Sequence, residues 1–184
     1  NCVGVVFDGS SKWSGAPSGT TYGIKVTMSG GSAPTAFIML SGASRFVTIK
    51  NVEVDGMWPS LAANGIGIHV KDGERLASKY PGAWVEGITL DNNFVHDLEG
   101  EGIYVGPNWY EGKVPLRNIV ISDNRVEDTG WDGIQLKSAI SGTNVISGNT
   151  LRRVGVRSDS SSKGQLFGIS MLDGNGSIRG NLVE

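Results

Sequence analysis

Along the chain, short runs place aliphatic residues at every second position and are interrupted every few residues by Gly, Asn, Asp or Ser. Val47-Thr48-Ile49, Ile88-Thr89-Leu90 and Ile66-Gly67-Ile68-His69-Val70 are examples. A period of two predicts strands with one face against a core. Long helices have no room. The longest stretch free of Gly and Pro, Leu116–Thr129, is 14 residues and rich in β-branched side chains. Val and Ile number 32 against 20 for Leu and Ala, which favours strands. With 28 glycines in 184 residues, about twice the usual ~7%, the pattern predicts an all-β chain with many tight turns.

The strands belong to a repeat. An aliphatic residue, two variable residues, Asn, one variable residue and then Val or Leu recur as Leu90-x-x-Asn93-x-Val95, Ile121-x-x-Asn124-x-Val126, Ile146-x-x-Asn149-x-Leu151 and Ile178-x-x-Asn181-x-Val183. A degenerate copy, Ile49-x-x-Val52-x-Val54, carries Asn51 one place early. Glycine-led strands follow the first copies: Gly65-Ile66-Gly67-Ile68-His69-Val70, Gly102-Ile103-Tyr104-Val105, Gly133-Ile134-Gln135-Leu136 and Gly168-Ile169-Ser170-Met171. The Asn-to-Asn steps are 31, 25 and 32 residues, each holding two or three short strands. Such a chain stacks its strands as a coil, each turn about 4.8 Å above the last. The expected fold is a right-handed parallel β-helix, because parallel crossovers favour that hand. The repeated Asn is expected to stack at one turn, its amides bonded between coils and its backbone tolerant of the left-handed region.

These residues, Ile-x-x-Asn-x-Val followed by Gly-Ile-x-Val, resemble the right-handed parallel β-helix superfamily, also called pectin-lyase-like. Regular coils are expected over 46–184, and 36–56 is similar to an early coil. A single domain over 1–184 is expected, with 1–45 less regular. Both ends fall in strand-like runs, so the sequence reads as part of a longer or processed chain. The resemblance implies the fold and, more loosely, a secreted polysaccharide lyase or hydrolase, or else a surface adhesin or phage tailspike.

Aligning the coils on Gly65, Gly102, Gly133 and Gly168 turns Ile66, Ile68, Ile103, Val105, Ile134, Leu136, Ile169 and Met171 inward. The outward columns are then Gly67–Tyr104–Gln135–Ser170 and His69–Gly106–Lys137–Leu172, with Asn64, Glu101, Asp132 and Phe167 at the preceding corner. Uneven neighbouring loops predict a groove with Tyr104, Gln135 and Lys137 on its floor. Trp109, Tyr110, Tyr80 and Trp131 are candidates to line it, since sugar rings stack on aromatic faces.

Glu101 and Asp132 sit one coil apart at equivalent positions, about the separation of a retaining glycosidase pair. Two carboxyls so close raise one pKa and supply an acid. Asp132-Gly133-Ile134 and Glu101-Gly102-Ile103 resemble the acid-Gly-Ile element of polygalacturonases, but that family's Asp pair, Gly-His-Gly and Arg-Ile-Lys are missing. Lys137, with His69, offers a lyase alternative, in which a base takes a proton and a cation neutralises a uronate. The competing readings are turn capping for the acids and a solvent-facing strand position for His69. At another turn, Arg153 is expected to stack on Asp128 and Asp97, and Arg152 on Glu127 and His96, as a ladder of opposite charges.

A net charge of −2 without a basic patch argues against nucleic acid. No apolar run is long enough for a membrane span. One cysteine, Cys2, excludes a disulfide framework. No cofactor is expected. Calcium is the cation that would suit the acidic surface of Asp97, Glu99, Glu101, Asp128 and Asp132, though no linear calcium loop is present. The expectation is an extracellular or cell-surface protein that binds and cleaves polysaccharide, the alternative a non-catalytic adhesin, surface fibre or tailspike-like segment. Oligomeric state is left open.

Overall fold

The computed structural model describes residues 2–11, 21–28, 35–59, 65–71, 84–107, 115–157 and 165–184. Three parallel sheets run along one axis, and each coil visits them in the same order. The first sheet stacks Val3–Asp8, Arg45–Lys50, Val85–Asp91, Leu116–Ser122, Val145–Ser147 and Ser177–Arg179, with Ala139–Ser141 also pairing to its fourth member. The second stacks Ile24–Thr27, Val52–Asp55, Phe94–Leu98, Arg125–Thr129, Thr150–Arg152 and Leu182–Val183. The third stacks Ala36–Ser41, Ile66–Lys71, Ile103–Val105, Ile134–Lys137 and Ile169–Leu172. This is a right-handed parallel β-helix. Val3–Asp8 pairs in register with Arg45–Lys50, so regular coiling begins well before residue 46. Among the described residues no helix is long and apolar enough to cross a membrane.

The core is a set of aliphatic stacks, one side chain per coil: Val47, Ile88 and Ile119 in one file, Ile49, Leu90, Ile121 and Ile146 in the next, Val54, Val95, Val126 and Leu151 across from them. Ile66, Ile68, Ile103, Val105, Ile134 and Leu136 are buried as expected, whereas Ile169 and Met171, in the last strand of the third sheet, are only half-buried. Nothing described stacks beyond them on that side, so the file loses its upper cover.

The asparagine ladder holds the turn between the first two sheets. Asn93 Nδ2 donates to Asn124 Oδ1, Asn124 Nδ2 to Asn149 Oδ1 and Asn149 Nδ2 to Asn181 Oδ1, each at 2.9 Å. Each Oδ1 also accepts a backbone N–H from the coil below, and each Nδ2 donates again to a backbone carbonyl, Leu90 in the case of Asn124. Asn93, Asn124 and Asn149 are buried. The ladder ends at Val52, whose N–H donates to Asn93 Oδ1 at 3.1 Å. One expectation is corrected. The left-handed backbone belongs to the residue before each rung, not to the rung. Asn51, Asn92, Asp123, Gly148 and Gly180 form that column, with φ between 49° and 68°. Asn51 is therefore a regular member of the neighbouring column, and its Oδ1 accepts from Asn92 Nδ2 at 2.7 Å.

The third sheet corrects the strand alignment. Ile68 pairs with Ile103 and Ile103 with Ile134, so Gly67, not Gly65, is the equivalent of Gly102, Gly133 and Gly168. At these corners consecutive coils approach closely. A Cβ on Gly102 would lie 2.6 Å from the Gly133 carbonyl oxygen and 2.4 Å from Val126 Cγ1. On Gly133 it would lie 2.7 Å from the Gly168 carbonyl oxygen. The repeated glycine is a contact requirement between coils.

Two outcomes test this frame. Asn124→Ala strips two donors and an acceptor from a buried turn and is expected to lower unfolding free energy by about 1–3 kcal/mol in a denaturant titration. A neutral variant would mean the ladder is ornamental. Gly102→Ala, by overpacking the corner, is expected to cost a similar ~1–3 kcal/mol, and unchanged stability would contradict the register of the third sheet.

Candidate functional site

With the register corrected, one outward column of the third sheet reads Met39, His69, Tyr104, Gln135, Ser170, and the next Ser41, Lys71, Gly106, Lys137, Leu172. His69 thus leaves the Lys137 column and joins Tyr104 and Gln135. The corner before the glycines reads Ile66, Glu101, Asp132, Phe167, because each glycine N–H donates to the carbonyl of the corner residue one coil on. Ile66 takes the place expected for Asn64, which lies outside the described residues, as do Tyr80, Trp109 and Tyr110.

The columns behave as ladders of like groups. The His69 and Tyr104 rings lie flat on each other, 4.7 Å between centroids and 8° between planes. Lys137 Nζ stands 5.1 Å from the Tyr104 centroid, a cation–π contact. The Tyr104 hydroxyl donates to the Pro107 carbonyl. Glu101 and Asp132 are adjacent on consecutive coils, Gly102 N–H donating to the Asp132 carbonyl at 3.0 Å. The sequence therefore brings Glu101, Asp132, Lys137, His69, Tyr104 and Gln135 onto one face. Trp131 stands at its corner, half-buried, its backbone N–H bonded to Gly100.

An open groove floor is not what forms. His69 and Asp132 are fully buried, Glu101 and Gln135 are 2% exposed, Tyr104 3% and Lys137 9%. His69 is accordingly not the solvent-facing residue that simple alternation suggests. Both its ring nitrogens, together with Glu101 Oε2, Gln135 Oε1, Ser138 Oγ and Trp131 Nε1, are buried without a hydrogen-bond partner. Buried polar atoms are normally satisfied, and each orphan costs about 1–3 kcal/mol. A concentration of them on one face marks a place where stability gives way to something else.

Burial sets the acid–base behaviour. It pushes Glu101 up to about 7, with the Asp132 charge adding and the residue's own N–H and Lys137 opposing. Burial also raises Asp132, against hydrogen bonds from Phe167 N–H, Ser170 and Gln135 and the charge of Lys137. His69 is held down to about 4 by burial, which, with Lys71 adding, outweighs the pull of the Gly106 backbone. The imidazole is neutral at physiological pH and Glu101 is poised there.

The other predicted charges resolve into pairs. Arg153 makes a bidentate contact with Asp128, both bonds at 2.6 Å. Arg152 stands in register with Glu127 but pairs with Glu184 at 2.6 Å, Glu127 being taken by Arg125. His96 Nδ1 lies 2.7 Å from Asp97, and Glu99 pairs with Arg157. The acidic surface suggested for calcium is thus dispersed into ion pairs and the buried acid pair. Among the described residues one group of potential metal ligands converges, Glu53, Asp55 and His96, which the sequence reading missed. Lys25 Nζ already bridges both carboxylates, at 2.8 and 2.9 Å.

A coil of three parallel sheets with an asparagine ladder and a buried acid pair on its third sheet defines a β-helix repeat protein. The chain belongs to the right handed beta helix region family, whose model matches residues 36–184. No curated protein and no solved structure matches it.

The buried acid and base leave a signature in stability. Glu101, at about 7 against an ordinary 4.5, keeps a proton that the unfolded chain releases. Its contribution is full below pH 4.5 and is lost as pH rises through 7. His69, at about 4 against 6.5, makes the opposite contribution, full above pH 6.5 and lost as pH falls through 4. The slopes oppose between these ranges, and above pH 6.5 only that of Glu101 remains. Relative to wild type, Glu101→Gln is expected to gain stability by up to about 3 kcal/mol between pH 4 and 8.5. Parallel pH profiles from denaturant melts would show that Glu101 is not held neutral.

Proposed function

We propose that this protein binds a polysaccharide outside the cell and cleaves it on the outer face of the third sheet. The supporting observation is the cluster of orphaned polar atoms around two adjacent carboxyls. Imidazole nitrogens, an amide oxygen, a hydroxyl, an indole N–H and a carboxyl oxygen are all left unpaired on and beside one ladder. A sugar ring carries donors and acceptors around its rim in the density needed to satisfy such a set, and its apolar face suits the aromatic rungs. The acid pair supplies what glycosidic cleavage needs, a proton donor active near neutral pH beside a second carboxyl. Lys137 gives the same face a cation able to neutralise a uronate, as elimination requires. The rungs are closed to solvent, so a bound sugar has to take the place of whatever shields them.

A panel of neutral and uronate polysaccharides tests the reading. Wild type is expected to cleave at least one of them. Glu101→Gln and Asp132→Asn are each expected to reduce kcat by 100-fold or more, about the worth of general acid catalysis. Reducing-end release and ultraviolet absorbance of unsaturated ends separate hydrolysis from elimination, and Lys137→Ala would abolish only the latter. Binding without cleavage across the panel would make the protein an adhesin or fibre segment. Full activity in all three variants would move the site to another face.

A further inference from the structure

We propose that at neutral pH Glu101 and Asp132 hold one proton between them, that Glu101 carries it, and that the pair hydrolyses a glycosidic bond by double displacement with Asp132 as nucleophile. This rests on the polysaccharide reading of the same face and assigns its reaction.

The hydrogen bonds divide the roles. Asp132 Oδ1 accepts the Phe167 N–H at 2.8 Å, and its Oδ2 accepts Gln135 Nε2 at 2.7 Å and Ser170 Oγ at 3.1 Å. The Phe167 N–H can only donate, and the Gln135 amide and the Ser170 hydroxyl are both turned to donate. A proton on Asp132 would point at a donor or sacrifice a bond, so this carboxyl is built to be ionised. Glu101 is the reverse. It is 2% exposed and its Oε2 has no partner. A carboxylate charge with an unsolvated oxygen is costly in a dry site, whereas a neutral carboxyl keeps an O–H to offer a ligand. Burial raises both acids and brings Glu101 to about 7. Gln135 and Ser170 are positioning residues for Asp132, and the Ser170 hydroxyl comes from the next coil of the third sheet.

The backbone sets the stereochemistry. Gly102 N–H bonds directly to the Asp132 carbonyl, so the acids stand on neighbouring coils, whose backbones run about 4.8 Å apart. Carboxyls that keep this spacing match the ~5–5.5 Å separation of retaining pairs rather than the ~6.5–9.5 Å that accommodates a water between them. In the first step the Glu101 proton passes to the glycosidic oxygen. The C1–O bond breaks, its electron pair leaves with the alcohol, and an Asp132 oxygen forms a bond to C1. In the second, the Glu101 carboxylate takes a proton from water as the water oxygen bonds to C1. The electron pair of the ester bond returns to Asp132, and Glu101 regains its proton.

Two measurements test it. Carbon-detected titrations of wild type, labelled first at glutamate and then at aspartate carboxyls, need no variant that might misfold. The expected result is one glutamate titrating near 7 and every aspartate titrating below it. An aspartate taking the high value overturns the role assignment. The second measurement is the anomeric configuration of the first-formed product on a polysaccharide the protein cleaves, expected to be retained. Inverted or unsaturated product overturns this inference and leaves the polysaccharide reading standing. Absence of cleavage on every polysaccharide overturns that reading and the catalytic step with it, whatever the titrations give.

Discussion

Parallel pairing at a spacing of one coil is the constraint on which everything else here depends. A strand in this fold has no hairpin partner, so its backbone groups find partners only in the coils above and below. Each residue is therefore placed directly over its equivalent. Where the backbone turns between sheets, ladder bonds lapse and polar groups are left over. The asparagine rungs meet that deficit. A carboxamide offers two donors and an acceptor with two lone pairs, enough to bond the next amide, a backbone N–H and a backbone carbonyl at once. No other side chain of that length does all three, which is why the rung repeats as Asn93, Asn124, Asn149 and Asn181.

The same constraint makes the outer faces energetically unforgiving. Equivalent positions are superposed whatever occupies them, so a sequence either mixes its columns or accepts like on like. On the second sheet the columns are mixed: Lys25 meets Glu53 and Asp55, and Arg153 meets Asp128. On the third sheet the corner places Glu101 directly beside Asp132, and the strand leaves His69 flat on Tyr104 with no partner for either nitrogen. The frame itself demands none of this, since Ile66 and Phe167 fill the same corner in neighbouring coils. Asp97 and Asp128 also share a column, but there Arg153 pairs with Asp128, whereas at the third-sheet corner both acids are buried.

Much of this was legible in the sequence, for a physical reason. Hydrophobic period and the Asn and Gly spacings are local, and in a solenoid local pattern is repeated as tertiary structure, so Asn124 could be read as lying between Asn93 and Asn149. The doubled Gly65-Ile66-Gly67-Ile68 was another matter. It satisfies the inward–outward alternation in two registers, and only the close approach of coils at the glycine corner selects Gly67. A shift of two residues preserves every inward side chain while moving His69 to another column. Burial of the outer face was not legible, because alternation assigns sides and says nothing about what lies over them.

The buried face also bears on how a non-catalytic role compares with a catalytic one. Binding a sugar hydroxyl does not require a carboxyl that is already desolvated, since an exposed acid or amide can give up its water on binding. A proton donor needs the desolvation itself. In water Glu101 would be ionised at neutral pH, and only the dry environment, with Asp132 beside it, brings its value to about 7. The stability forgone in burying His69 and Glu101, whose Oε2 has no partner, accompanies one acid held protonated and one base held neutral. Asp132 differs, because Gln135, Ser170 and the Phe167 N–H compensate its burial. Two chemically similar groups one coil apart, both raised by burial, differ in their hydrogen bonding, a distinction that turn capping alone does not call for.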